Sequence, residues 1–207
     1  MKTLKIYHVG GNIGYSNWIE NSEPINSLQE ADLVIFTGGE DVHPYFYEEP
    51  VHPRTYFNTV RDKQEEIIFK AAIELNIPIL GVCRGSQLSC VMAGGKLVQH
   101  QNNPDFKHPI KTYNNVELTM SSTHHQAQHP FNLPEEDYKI LAWSEDIVKY
   151  REDGNQQDMK TPKDCEIVYY PKINTLAIQG HPEMILEEEE TIKWCRELLL
   201  DFLNKQL

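Results

Sequence analysis

No stretch of the 207-residue sequence approaches the run of about eighteen apolar residues that a bilayer-spanning helix needs. The opening MKTLKIYHVGG also holds too short an apolar run for a secretory signal core, so a cytoplasmic protein with no membrane partner is the expectation. Cysteine is scarce. Cys83, Cys90, Cys165 and Cys195 are widely spaced, form no C-x-x-C pair, and occur in a chain long enough not to need covalent staples, so they read as free thiols. Cys83 and Cys90 would lie about 10 Å apart along a helix, too far to bridge. Basic charge is in deficit, with 19 Lys and Arg against 31 Asp and Glu and a formal net charge of -12. That balance excludes partners selected by cationic patches, so no nucleic acid is expected. No internal repeat is evident, and the length and 40% hydrophobic content suit one core and a single domain over 1–207.

What is present is an alternation of apolar runs and helical patterns. LKIYHV (4–9) and ADLVIFTGG (31–39) read as buried strands, the second closed by two glycines. The polar stretch between them, around Trp18, gives only a weak helix signal. DKQEEIIFKAAIELN (62–76) predicts a surface helix capped by Asp62, with Ile67, Ala71 and Leu75 as its buried stripe. IPILGVC (77–83) returns as a strand, and RGSQLSCVMAGG follows as a helix ended by Gly94 and Gly95. This order indicates an α/β fold with a largely parallel sheet. The second half is expected to be partly antiparallel, because NNVELTM and EIVYYPKINTLAIQ read as strands, the latter two joined by a turn near Lys172-Ile173-Asn174. Residues 151–164 read as a polar loop, and 187–207 as a helix with Ile192, Cys195, Leu199 and Phe202 inside and four glutamates in a solvated start.

Two strand ends carry chemistry. In PILGVCRGSQ (78–87), small residues let a strand turn sharply into a helix and expose Cys83 where the helix N-terminus favours a thiolate. G-x-C-x-G is the cysteine counterpart of the serine nucleophile elbow. AIQGHPEM (177–184) ends a second strand with His181, which can accept a thiol proton, and Glu183, which can orient the imidazole. Taken alone, the elbow match is moderate evidence, and a lone His-Pro-Glu is more often an ordinary loop with a hydrogen-bonded histidine. A cysteine-bearing α/β-hydrolase would place the acid before the histidine, which is not the order here. A zinc site on His125 and His129 is disfavoured, because their motif has no carboxylate or thiol and Pro130 interrupts a following helix. No metal or other cofactor is called for.

Together, Gly81-Val82-Cys83-Arg84-Gly85-Ser86-Gln87 and His181-Pro182-Glu183 resemble the class I glutamine amidotransferase family. The chain looks most similar to its γ-glutamyl hydrolase (peptidase C26) branch, which includes γ-glutamyl-γ-aminobutyrate hydrolase. GGEDVHPYFYEE, RDKQE, GGKLVQH and SSTHHQA extend the likeness over roughly 31–185. The resemblance implies a three-layer flavodoxin-like fold and a Cys83-His181-Glu183 triad acting on a small-molecule γ-glutamyl amide through a thioester. It further implies an oxyanion hole from the backbone N–H groups of Gly39 and Arg84, and substrate binding by Gln87, Ser122 and His124. The amine released, a separate synthase partner chain, a homodimer and a non-catalytic binding module all stay open at this stage. Gly180, where the family generally has a bulky aromatic, and Ser121-Ser122-Thr123 depart from the family pattern and imply an enlarged or reshaped acceptor side.

Overall fold

The computed structural model describes residues 2–101, 106–144 and 163–207. The chain order is β1 (Leu4–Val9), β2 (Ser22–Ile25), β3 (Leu33–Phe36), α1 (Thr59–Glu74), β4 (Ile79–Val82), α2 (Arg84–Met92), β5 (Lys96–Val98), β6 (Lys107–Thr112) and β7 (Glu117–Ser121). It continues with β8 (Ala127–His129), β9 (Lys139–Ser144), β10 (Asp164–Tyr170), β11 (Thr175–Ile178) and α3 (Glu189–Leu203). Nine strands form one sheet in the order β2-β1-β3-β4-β11-β10-β9-β6-β7. The five from β2 to β11 pair in parallel, and the other four add antiparallel, as the change of pattern in the second half predicts. The β10–β11 connection contains a left-handed Asn174, at the turn read from the sequence. Of the segment 151–164 read as a loop, 151–162 lie outside the described residues, and Asp164 opens β10.

The central strands are apolar throughout because both faces are covered. Successive side chains on a strand point to opposite faces. Leu33, Ile35, Leu80, Val82, Leu176 and Ile178 accordingly pack with Ile192, Cys195, Leu198 and Phe202 of α3. Val34, Phe36, Ile79 and Ala177 pack on the other face with Phe69 and Ala72 of α1 and Leu88 and Val91 of α2. These layers make a three-layer α/β fold.

Three local expectations are corrected. Asn58, not Asp62, caps α1: its side chain accepts from the N–H groups of Val60 and Arg61. The inward stripe of α1 is Asp62, Glu65, Phe69 and Ala72, whereas Ile67 and Leu75 are exposed. The carboxylates face inward because buried Arg84 requires counter-charges. Finally, the region around Trp18 contains a strand, β2, parallel to β1 at the sheet edge. Pro24 and polar neighbours hide it in the sequence, but an edge strand tolerates both.

Candidate active site

Cys83 lies between β4 and α2 with φ 54° and ψ −109°, a left-handed-side conformation unusual for a residue with a side chain. Its N–H donates to the Ile178 carbonyl at 2.8 Å, and its own carbonyl accepts from Ser86 and Gln87 N–H groups in the first turn of α2. Backbone bonds on both sides therefore hold the turn. The flanking glycines are needed for close approach: a Cβ on Gly85 would lie 2.0 Å from the Phe36 carbonyl oxygen, and one on Gly81 2.4 Å from the Gly85 oxygen.

His181 leaves the end of β11 and is almost fully buried. Its Nδ1 lies 2.6 Å from Glu183 Oε1, and its backbone N–H donates to Ser121 Oγ at 2.6 Å while that hydroxyl donates back to the His181 carbonyl. Burial lowers the imidazole pKa, but hydrogen bonds and charge from Cys83 and Glu183 outweigh it and raise the value to about 10. Tyr15, from the 3-10 turn Ile13–Ser16, packs 5.7 Å from the His181 ring centre. Burial, followed by the nearby Glu183 and Cys83 charges, raises its pKa to about 12, so the phenol stays protonated.

A cavity of about 150 Å³ opens over Cys83. Gly39, Glu40 and Asp41 form one wall, Thr123, His124 and His125 another, and Gln87 and Tyr56 complete it. Gln87 Nε2 donates to the Gln126 carbonyl at 3.1 Å. His124 is buried, and desolvation pulls its pKa down to about 4, which leaves a neutral ring facing the cavity. Ser122, although buried, is not among the lining residues; the segment after β7 presents 123–125 instead. Gly180 does not enlarge the site either. Met120 occupies the space a side chain there would need, with its Cγ 2.3 Å from the Cβ position.

The rim carries a hydrogen-bond chain with one direction. Arg54 Nη1 lies 2.9 Å from His100 Nε2, His100 Nδ1 lies 3.1 Å from His125 Nδ1, and His125 Nε2 lies 3.1 Å from the Asp41 carboxylate. Arginine only donates and carboxylate only accepts, so Arg54 donates to His100, His100 to His125, and His125 to Asp41. His129, the other residue of the zinc alternative, packs edge-on against Phe131 instead.

Behind the Gly39 wall is a charged network. Arg61 Nη2 donates to the Gly38 carbonyl at 2.8 Å, Nη1 to Glu40 at 2.9 Å and Nε to Glu65 at 2.7 Å. Glu65 and Asp62 both pair with Arg84, the first residue of α2. Asp62 also accepts from the His43 N–H at 3.3 Å. Within RDKQE, no sequence signal marks Arg61 or Glu65 as partners of the Gly38 carbonyl and Arg84, and none marks Tyr15 or Ser121 as partners of His181. Their contacts with His181 span long sequence separations and leave no local spacing signal.

Three adjacent parallel strands, β3, β4 and β11, thus deliver Gly38-Gly39, Cys83 and His181 to one edge of the sheet. The Peptidase C26 family model matches residues 17–132. The chain is 33% identical over 188 residues to a glutamine amidotransferase-like protein, YvdE, of Lactococcus lactis, covering 87% of this chain and 78% of that protein. It is 25% identical over 166 residues to a glutamine-hydrolyzing GMP synthase of Clostridium botulinum, covering 76% of this chain but 25% of the synthase. In fold it is similar to the glutaminase domain of Trypanosoma brucei CTPS, with a TM-score of 0.62 at 13% identity over 99% of this chain and 95% of that one. On its sequence matches and its fold together, the chain belongs to the peptidase C26 family of class I glutamine amidotransferase-like proteins.

Proposed function

We propose that residues 1–207 act as one amidase domain that hydrolyses a γ-glutamyl amide, glutamine or a γ-glutamyl amine, with Cys83 as nucleophile, His181 as acid and base, and Glu183 as the residue that orients His181. The observation that carries this reading is the imidazole held 2.6 Å from Glu183, with its pKa raised by Cys83 and Glu183, beside a cavity that Cys83 and Gly39 both line.

The Cys83 sulfur attacks the side-chain carbonyl carbon, and its C=O electrons move onto oxygen. Backbone N–H groups of Gly39 and Arg84 meet that oxyanion; Arg84 opens α2, where N–H groups have no partner within the helix. As the C–N bond breaks, the nitrogen takes the proton from His181 and leaves as ammonia or amine. His181 then takes a proton from water, the oxygen attacks the thioester, and the C–S bond breaks to return thiolate and glutamate. Gln87 and His124, both on the cavity wall, would hold the glutamyl portion.

The likeness to the GMP synthase supports a second reading, a glutaminase subunit that delivers ammonia to a separate synthase chain. No helix among the described residues is long and apolar enough to cross a membrane. The four free thiols fit a reducing, cytoplasmic setting. The discriminating experiment is glutamate release by purified protein from glutamine and, separately, from γ-glutamyl-γ-aminobutyrate, with Cys83→Ala as control. Cys83-dependent turnover of the γ-glutamyl amine supports the free-standing hydrolase. Slow turnover of both, with Cys83 labelled by a glutamine-like electrophile, supports the subunit. Equal turnover by Cys83→Ala would overturn both.

A further inference from the structure

An oxyanion donor is useful only if its peptide faces the right way, and a glycine-rich loop can turn a peptide over at little cost. The Gly38–Gly39 peptide is held in one orientation by contacts outside the cavity. It is trans, so the Gly38 carbonyl and the Gly39 N–H point in opposite directions. Arg61 reaches from α1 and donates to that carbonyl at 2.8 Å. The N–H of Gly39 is thereby turned away from the Arg61 guanidinium, and Gly39 lines the cavity that it shares with Cys83.

The guanidinium is fixed as firmly as the peptide it holds. Its other nitrogens donate to Glu40 and Glu65, and Glu65 is almost fully buried. A Cβ on Gly39 would lie 2.0 Å from Arg61 Nη1 and would push the guanidinium aside, and Gly39 has φ +144°, a backbone conformation that favours glycine. Glu65 also pairs with Arg84, which adjoins Cys83 and would supply the second oxyanion donor. One ion-pair network therefore bears on both proposed donors.

We propose that Arg61 is a positioning residue that fixes the Gly38–Gly39 peptide with the Gly39 N–H toward Cys83, so that the oxyanion hole stands assembled in this chain without a partner. The proposal rests on the reading of Cys83 as nucleophile. Lysine cannot replace the fork, because a single ammonium does not span the Gly38, Glu40 and Glu65 acceptors in their fixed geometry.

The test compares wild type, Arg61→Met and Arg61→Lys in steady-state hydrolysis and in two inactivation reactions at Cys83. A glutamine-like chloroketone places its carbonyl oxygen in the hole, whereas iodoacetamide alkylates sulfur without needing it. In Arg61→Met, kcat is expected to fall about 100-fold with KM little changed. Chloroketone inactivation should slow by a similar factor while iodoacetamide alkylation stays near wild type. Arg61→Lys, which keeps the charge should the methionine variant fail to fold, is expected to fall about tenfold in the same two readouts. Either folded variant with unchanged kcat and an unchanged ratio of the two inactivation rates overturns the proposal. So does equal slowing by both reagents, which would mean Arg61 merely supports Cys83. Wild-type protein that fails to turn over any γ-glutamyl amide but takes up chloroketone tests the hydrolase reading separately, since the ratio still reports on Arg61. Wild-type protein that takes up no chloroketone overturns the nucleophile reading and this proposal with it.

Discussion

At the scale of single residues, His181 links the proposed acid–base chemistry to stability. Its pKa in the folded chain is about 10 against an ordinary 6.5, so folding favours the protonated ring. That contribution is fully present below pH 6.5 and is lost as pH rises through about 10. The stability margin of wild type over His181→Gln in urea unfolding is therefore expected to shrink between pH 6.5 and 10, and a margin that grew over that range would contradict the ion pair. Glu183→Gln removes the charge 2.6 Å from Nδ1 while keeping a hydrogen-bond acceptor. It should lower kcat at least tenfold and shift the titration of His181, followed by NMR, toward its ordinary value. The identities of Cys83, His181 and Glu183 were legible because each stands in a short motif at a strand end. Tyr15, Ser121 and Arg61 gain their roles from neighbours 60 to 166 positions away or from the far side of a loop, and no spacing within a motif signals that.

At the scale of elements, the elbow depends on close approach of α2 to the sheet. Gly85→Ala would drive a methyl into the Phe36 carbonyl at the end of β3, a contact with backbone that side-chain rotation cannot relieve. Thermal or urea unfolding should show a loss of about 1–3 kcal/mol or more, together with slower alkylation of Cys83. An unaffected variant would mean that the elbow is looser than described. The N-terminus of α1 gives a milder test: Asn58→Ala should cost about 1 kcal/mol, since it leaves the Val60 and Arg61 N–H groups without their acceptor. Elements with a continuous apolar run, β3, β4 and β11, were readable within two or three residues. The face of α1 was not, because its inward positions include Asp62 and Glu65, and periodicity counts carboxylates as solvent-facing unless the buried arginine that binds them is known. The edge strand β2 was hidden for the opposite reason, since a strand paired on one side needs neither an apolar run nor every backbone donor.

At the scale of the whole molecule, the proposed chemistry sits where an open α/β sheet offers a site, beyond the carboxyl ends of adjacent parallel strands. β3, β4 and β11 are neighbours in the sheet although β11 is separated from β4 by more than ninety residues. That crossover joins two sequence motifs into one constellation, and it explains why either motif alone is ambiguous while their pairing is specific. The four antiparallel strands extend the same sheet, and the segment leading out of β7 supplies Thr123, His124 and His125 to the opposite wall of the cavity. The proposed acceptor side is thus shaped by residues outside the two strand-end motifs, which is why the proposed chemistry is more legible than the amine it would release. The most direct test is intact-protein mass spectrometry during turnover of glutamine or γ-glutamyl-γ-aminobutyrate, with glutamate release followed in parallel. The account predicts a γ-glutamyl adduct on Cys83 that is absent from Cys83→Ala, which also releases no glutamate; glutamate release that persists without Cys83 would contradict it.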